Sequence, residues 1–230
     1  MIQVDYNRAF FFPHLGLGDH IICQGMVNIL HSLYDEFYIP AKHGNVTSVQ
    51  YMCKNLKGVQ ILPCGNDAEA TRLCRTYVGQ KRADPLITGH RNANYWELHG
   101  QFDEKFYRQL GINFDESWNW HPKAPEEPNQ EVLDLIPEVD FCFIHDDPSR
   151  GFNIDINTDL IGLPTVRNTV RGRTIFDYIP LLKKATEIHC MDSSFAIMID
   201  RIPKLKAKKY IHRHVRGVSH PNYRGGWEII

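Results

Sequence analysis

The chain has 230 residues, 43% of them hydrophobic and 23% charged, with 26 Lys and Arg against 27 Asp and Glu. That composition excludes intrinsic disorder as the overall state, and a net charge of -1 excludes broad attraction to nucleic acid or to an anionic membrane. No stretch approaches the ~20 apolar residues of a membrane span. The opening Met1-Ile2-Gln3-Val4-Asp5-Tyr6 lacks the layout of a signal peptide. A cytoplasmic protein is therefore expected, with its six cysteines, none in a C-x-x-C pair, reduced.

In chain order, Arg8-Ala9-Phe10-Phe11-Phe12 is a short continuous apolar run, the pattern of a strand buried on both faces. After Gly16-Leu17-Gly18-Asp19, residues Ile21, Ile22, Gly25, Met26, Ile29 and Leu30 recur at helical spacing. Strands are predicted at 37–40 and 59–62, with a helix over 46–56 between them. A helix over 67–78, capped by Asn66 or Asp67, a strand at 84–88 and a helix over 95–110 follow. Alternating strands and helices imply a parallel sheet. His121-Pro122-Lys123-Ala124-Pro125-Glu126-Glu127-Pro128 is too rich in proline for a helix or central strand. The expected division is a parallel α/β domain over 1–120, a linker over 121–138 and a second domain of like design over 139–230. The second series has strands at 140–145, 163–166, 187–191 and 209–212, with helices over 174–185 and 193–201. No internal repeat or low-complexity tract is visible.

Two loops have the composition of a site. In His14-Leu15-Gly16-Leu17-Gly18-Asp19-His20, Gly16 and Gly18 let backbone approach a ligand closely, and the loop lies at the carboxyl end of a strand, where open α/β sheets bind ligands. Asp19 beside His20 suits a general base; the loop reads equally as a plain turn with Asp19 capping the helix. The dinucleotide fingerprint needs Gly or Ala at position 21, which is Ile21, so a dehydrogenase is disfavoured. The second loop, Asp192-Ser193-Ser194, opens a helix with two hydroxyls, which suits a phosphate as well as it suits an ordinary cap. His145-Asp146-Asp147-Pro148-Ser149-Arg150-Gly151 also ends a strand, and Arg150 could grip a phosphate bidentately. Arg167, Arg171 and Arg173 form a further basic cluster, read alternatively as a solvated loop.

Gly18-Asp19 after the first strand, together with Asp192-Ser193-Ser194 late in the chain, resembles the ADP-heptose:lipopolysaccharide heptosyltransferases of glycosyltransferase family 9. In that family a small-residue–Gly–Asp loop opens the first helix, and Asp19 stands at the place of the proposed catalytic base. The family's Asp-[Ser/Thr]-Gly-x-x-His segment grips the donor diphosphate; Asp192 and Ser193 match its first two positions, while Ser194 and Ile197 stand where the family has Gly and His. The stretch from Thr174 to Ala185 is similar to the helix that precedes this segment. The resemblance implies an α/β fold of GT-B type, two facing Rossmann-like domains with parallel sheets. It also implies metal-independent, inverting glycosyl transfer from a nucleotide-sugar donor.

In that reading the first domain takes the acceptor and the second the donor. Asp19 takes a proton from a glycan or other hydroxyl acceptor, His20 positions the acceptor or tunes Asp19, and Gly16, Gly18, His145, Arg150, Asp192, Ser193 and Ser194 hold the phosphate side. No cofactor beyond the donor co-substrate and no nucleic-acid partner is expected; a membrane-borne acceptor would bring peripheral contact with a membrane. A nucleotide-sugar epimerase and a non-catalytic nucleotide- or sugar-binding protein are the alternatives. No metal site is expected: neither H-E-x-x-H nor Cys-pair spacing occurs, and Asp155-Ile156-Asn157-Thr158-Asp159 fails as a calcium loop because Leu160 replaces the required Gly. His212-Arg213-His214 is expected to place two imidazoles on one face of a strand, and Pro221-Asn222-Tyr223-Arg224-Gly225-Gly226-Trp227 to pack on a domain surface.

Overall fold

The structure is a computed structural model that describes residues 4–156, 162–170, 172–215 and 220–230. Arg171 and the Asn157–Asp159 part of the calcium-like stretch lie outside the described residues. The chain forms two compact units, Met1–Trp120 and His121–Ile230. Each holds an all-parallel sheet, so the expected α/β class with two Rossmann-like units is what the chain adopts.

In the first unit the strands are β1 (Arg8–Phe12), β2 (Glu36–Lys42), β3 (Val59–Cys64) and β4 (Asp84–Ile87), in sheet order β3-β2-β1-β4. Helices α1 (Leu17–Leu30), α2 (Val46–Cys53), α3 (Asp67–Lys81) and α4 (Phe102–Gln109) connect or follow them. The unbroken apolar run of β1 follows from burial on both faces. Phe10 and Phe12 enter the cluster formed with Ala70, Cys74 and Tyr77 of α3, while Phe11 points the other way and stacks on Phe37, ring centroids 5.9 Å apart. Pro40 is tolerated in β2 because the ladder with β1 stops at Tyr38. α3 begins as expected, the Asn66 side chain accepting the Glu69 N–H at 3.0 Å. The helix expected over 95–110 is instead a 3₁₀ turn over Ala93–Trp96 and then α4, because Gly100 at φ +104° breaks the backbone between them.

Gly25 sits in the middle of α1, where glycine ordinarily costs helix stability. Its place is fixed by the segment Phe114–Trp118: a Cβ on Gly25 would lie 2.0 Å from the Glu116 carbonyl oxygen. The Tyr107 hydroxyl completes this joint, donating to Ile22 O at 2.8 Å and accepting from Met26 N at 3.2 Å. Gly25→Ala should therefore destabilise the first unit by about 3 kcal/mol, the range of overpacking against immobile neighbours. Chemical denaturation would check this; a loss below the helix-propensity gain of alanine would mean the joint is not tight.

The second unit contains β5 (Cys142–His145), β6 (Thr165–Arg167), β7 (Glu187–Met191), β8 (Lys208–His212) and β9 (Trp227–Ile229), in sheet order β6-β5-β7-β8-β9. Its helices are α5 (Gln130–Leu133), α6 (Ile179–Lys184) and α7 (Ser194–Asp200). Phe143 packs on Tyr178 and Phe195 on one face of the sheet. Cys142, Ile144 and Met191 gather Ile154, Phe152 and Leu163 on the other.

Four expectations need correction. Residues 121–138 do not form a free linker: they belong to the second unit, α5 buries Val132 completely, and Asn129 N donates to Asp177 Oδ1 at 3.0 Å. The helix expected over 174–185 opens as a 3₁₀ turn over Ile175–Tyr178, held by a Thr174–Asp177 capping box, and becomes α-helical only from Ile179. The 221–227 tail does not merely lie on a surface, because its end adds an edge strand, β9, parallel to β8. Finally, β8 ends at His212 and Arg213–Val215 turns as a 3₁₀ helix, so His214 does not share a strand face with His212.

Candidate functional site

Strand order locates the places where ligands bind an open parallel sheet. In β3-β2-β1-β4 the chain leaves β1 toward one side and returns on the other at β4, so the crevice at a topological switch lies beyond the ends of β1 and β4. The second sheet has its switch between β5 and β7. The 14–20 loop follows β1, the 145–151 loop follows β5 and the 192–194 loop follows β7. All three sequence candidates are thus at switch points of their own units.

At the first switch the loops after β1 and β4 interlock. Thr88 N donates to Phe12 O at 3.1 Å, and the Gln109 side chain clamps Gly89, accepting its N–H at 2.7 Å and donating to its carbonyl at 3.0 Å. Gly89 has φ +78°, and a Cβ there would meet the His14 ring at 2.8 Å. His14 consequently sits against the β4 loop, its ring edge-on to His90 with centroids 4.5 Å apart. Arg91 is held by Asp67 at 2.9 Å and lies over the Phe12 ring.

Asp19 occupies the third position of α1, not the N-cap, which is Gly16. The Asp19 carboxylate folds back, Oδ2 accepting the Gly16 N–H at 3.1 Å. Gly16 has ordinary extended backbone angles, but its missing Cβ leaves room for this carboxylate: a Cβ would lie 2.5 Å from Oδ2, so a larger residue would make the Asp19 side chain shift. Gly18 is the second residue of α1. His14 Nδ1 is 3.8 Å from Asp19 Oδ2. Burial, then His90 and Arg91, push the His14 pKa down to about 4, so at neutral pH this is a contact with a neutral imidazole and not an ion pair. Asp19 retains 19% of its side-chain exposure.

His20 goes the other way. It is 3% exposed, its Nε2 has no hydrogen-bond partner, and burial lowers its pKa to about 4. The helix carries its ring into the core, away from the loop that holds Asp19. The imidazole beside Asp19 is instead that of His14, the first residue of the same loop, with His90 packed against it from the loop after β4. For His90 the available signal was the loop Thr88-Gly89-His90-Arg91 at the end of a strand, which becomes informative only once β4 is known to pair with β1.

At the second switch the side chains are largely committed. His145 is buried, stacked on Phe195 at 4.1 Å, and neutral, burial lowering its pKa to about 4. Asp146 is buried and bonded to the Arg167 guanidinium and to Ile154 N. Arg150 is exposed, paired with Asp147 at 2.5 Å and lying over Phe152. Of the remaining cluster, Arg173 lies on the loop before α6. Ser193 caps α7, its Oγ accepting Ala196 N–H at 3.4 Å, and Ser194 begins the helix, half-buried. Ile197 is buried in the core.

Asp192, 3% exposed, is bound to the chain's end: Oδ1 accepts from the Tyr223 hydroxyl at 2.8 Å and Oδ2 meets His220 Nδ1. Asp200, at the far end of α7, accepts from Arg224 N, Gly225 N and Trp227 Nε1 at 2.6–3.0 Å. The two aspartates thus strap residues 220–227 along α7. Asp192 consequently faces protein donors. What this switch can offer an anion is therefore limited to backbone N–H groups at the start of α7, the Ser194 side chain and Arg150.

Among the described residues no group of three or more His, Cys, Asp or Glu side chains could hold a metal ion. No described helix is long and apolar enough to cross a membrane. All six cysteines are buried, and none of them forms a disulfide.

No protein-family model matches the chain, and neither does any curated protein. Among solved structures it is similar to the crystal structure of the glycosyl transferase family 9 from Veillonella parvula DSM 2008, at 10% identity and a TM-score of 0.59. That likeness covers 100% of this chain and 87% of the other. At such identity it is a likeness of fold, two Rossmann-like units with parallel sheets carried over the full length of this chain.

Proposed function

We propose that the protein is a glycosyltransferase of GT-B type, moving a sugar from a nucleotide-sugar donor to a hydroxyl acceptor with inversion and without a metal ion. The observation that carries this reading is the pairing of roles at the two switch points. One presents a partly exposed carboxylate beside a neutral imidazole, the other a helix start with an exposed arginine. The full-length fold likeness to a family 9 structure supports it.

In this mechanism the acceptor oxygen attacks the anomeric carbon as the bond from that carbon to the diphosphate oxygen breaks. The acceptor proton goes to Asp19, and the nucleoside diphosphate leaves with the bonding electrons. Its growing charge is met by N–H groups at the start of α7 and by Arg150, which exchanges Asp147 for phosphate. His14, neutral, sets the polarity around Asp19 without competing for its charge. His145 and Asp192 act indirectly, fixing the walls of the donor side. His20 takes no part in contact with substrate.

A panel of nucleoside diphosphates, nucleosides and NAD tests the reading by thermal shift. At a hundredfold excess over Kd, one diphosphate should stabilise the protein by about 3 kcal/mol, a rise of roughly 5–10 °C, with and without EDTA. A response to NAD alone would favour an epimerase, and a response that EDTA removes and Mn²⁺ restores would place a metal in the site.

A further inference from the structure

Trp96 is 75% exposed, while its neighbour Tyr95 is 5% exposed. The other three tryptophans, Trp118, Trp120 and Trp227, are all half-buried. An indole so uncovered gives up the burial that usually stabilises this side chain. Nor is it a loose tip. Its ring lies nearly parallel to His90, at 13° with centroids 5.7 Å apart, and edge-on to Tyr95 at 5.1 Å. His90 is itself wedged between His14 and Tyr95, at 4.5 and 4.6 Å.

The backbone beneath is built to match. Asn92 donates to Ile87 O at 2.9 Å and accepts Asn94 N–H at 3.3 Å, closing the 3₁₀ turn that ends on Trp96. The Gln109 clamp on Gly89 fixes the other end of the loop. This ring stack leads to Asp19 through His90 and His14. The charge of Asp19 also reaches Tyr95, where it adds to burial in raising the hydroxyl pKa.

We infer that Trp96 is a stacking platform for a pyranose ring of the acceptor, so that the hydroxyl presented to Asp19 belongs to a sugar. The inference rests on the reading that the first unit takes the acceptor. A pyranose offers one face of C–H groups to an aromatic ring and keeps its hydroxyls at the rim, where they can reach a carboxylate. A ligand carrying phosphate fits less well, because the cations near the platform are already engaged, Arg91 with Asp67 and Phe12 and Lys105 over the Tyr95 ring. A ring held rigidly before binding loses little freedom on contact, which suits a weak ligand.

The indole N–H resonances of ¹⁵N-labelled protein test this directly, with Trp96→Leu assigning the Trp96 signal. Methyl glucopyranoside, galactopyranoside and mannopyranoside are titrated beside glycerol, uridine and adenosine. The expected result is a saturable movement of the Trp96 resonance with at least one pyranoside and none with glycerol. Trp96→Leu should weaken binding of that pyranoside at least about tenfold, and Trp96→Phe less. Silence with every pyranoside, or movement with a nucleoside alone, would overturn the inference. Nucleoside diphosphate binding measured on the same samples separates the two readings. If it persists while the pyranosides are silent, only the platform falls; if it is absent while Trp96 responds, only glycosyl transfer does.

Discussion

Asp19→Asn should lower the transfer rate at least about 100-fold, the lower range for loss of a general base. Folding and diphosphate binding should be left near their original values. The asparagine amide oxygen can still accept the Gly16 N–H that Asp19 Oδ2 accepts at 3.1 Å, so the start of α1 is preserved and only basicity is removed. Asp19→Ala removes both and should cost about 1 kcal/mol of stability in addition. The pair of variants therefore separates the two things this carboxylate does. If the asparagine variant transfers sugar as fast as the original protein, with a verified donor and acceptor, Asp19 is a helix cap and the base lies elsewhere.

The elements that could be read from the sequence are those whose burial leaves a local pattern. β1, β5 and β7 are runs of apolar residues because both faces of a parallel strand are covered, and Phe10, Phe11, Phe143 and Ile188 need no alternation to announce them. β9 left no such pattern. It is three residues long, carries Glu228 in its centre, and owes its place to Asp200 and to pairing with β8 rather than to its own composition.

The same distinction runs through the site. The loop from His14 to Asp19 was visible because a strand and a helix flank it immediately. His90 joins it only through the order β3-β2-β1-β4, a fact of pairing between residues more than seventy positions apart. Asp192 looked like a phosphate ligand because its two partners, His220 and Tyr223, come about thirty residues later. His20 shows why adjacency misleads: successive residues on a helix point about 100° apart, so His20 faces the core while Asp19 beside it keeps partial exposure.

Acid should unfold this protein early, with stability falling steeply as pH drops from 6.5 toward 4. Five histidines, His14, His20, His145, His189 and His212, have pKa values pushed down to about 4, in each case chiefly by burial. In the unfolded chain each would titrate near 6.5. A depressed folded pKa means that the unfolded chain takes up protons first, so their neutral burial is tolerated fully above 6.5 and opposes folding progressively below it. His20, which is 3% exposed, contributes up to about 3 kcal/mol across that window. His189 and His212 add a linked contribution, because Nδ1 of the first and Nε2 of the second share one hydrogen bond at 2.9 Å that cannot survive protonation of both rings. His20→Leu isolates one part of the slope. Its Nε2 has no partner to lose, so stability at pH 7.5 should be unchanged or higher, while the curve between pH 6.5 and 4 should flatten by close to one proton. Urea melts at half-unit pH steps would read this, and a His20→Leu curve parallel to the original would show that His20 takes up its proton in the folded protein as readily as in the unfolded chain.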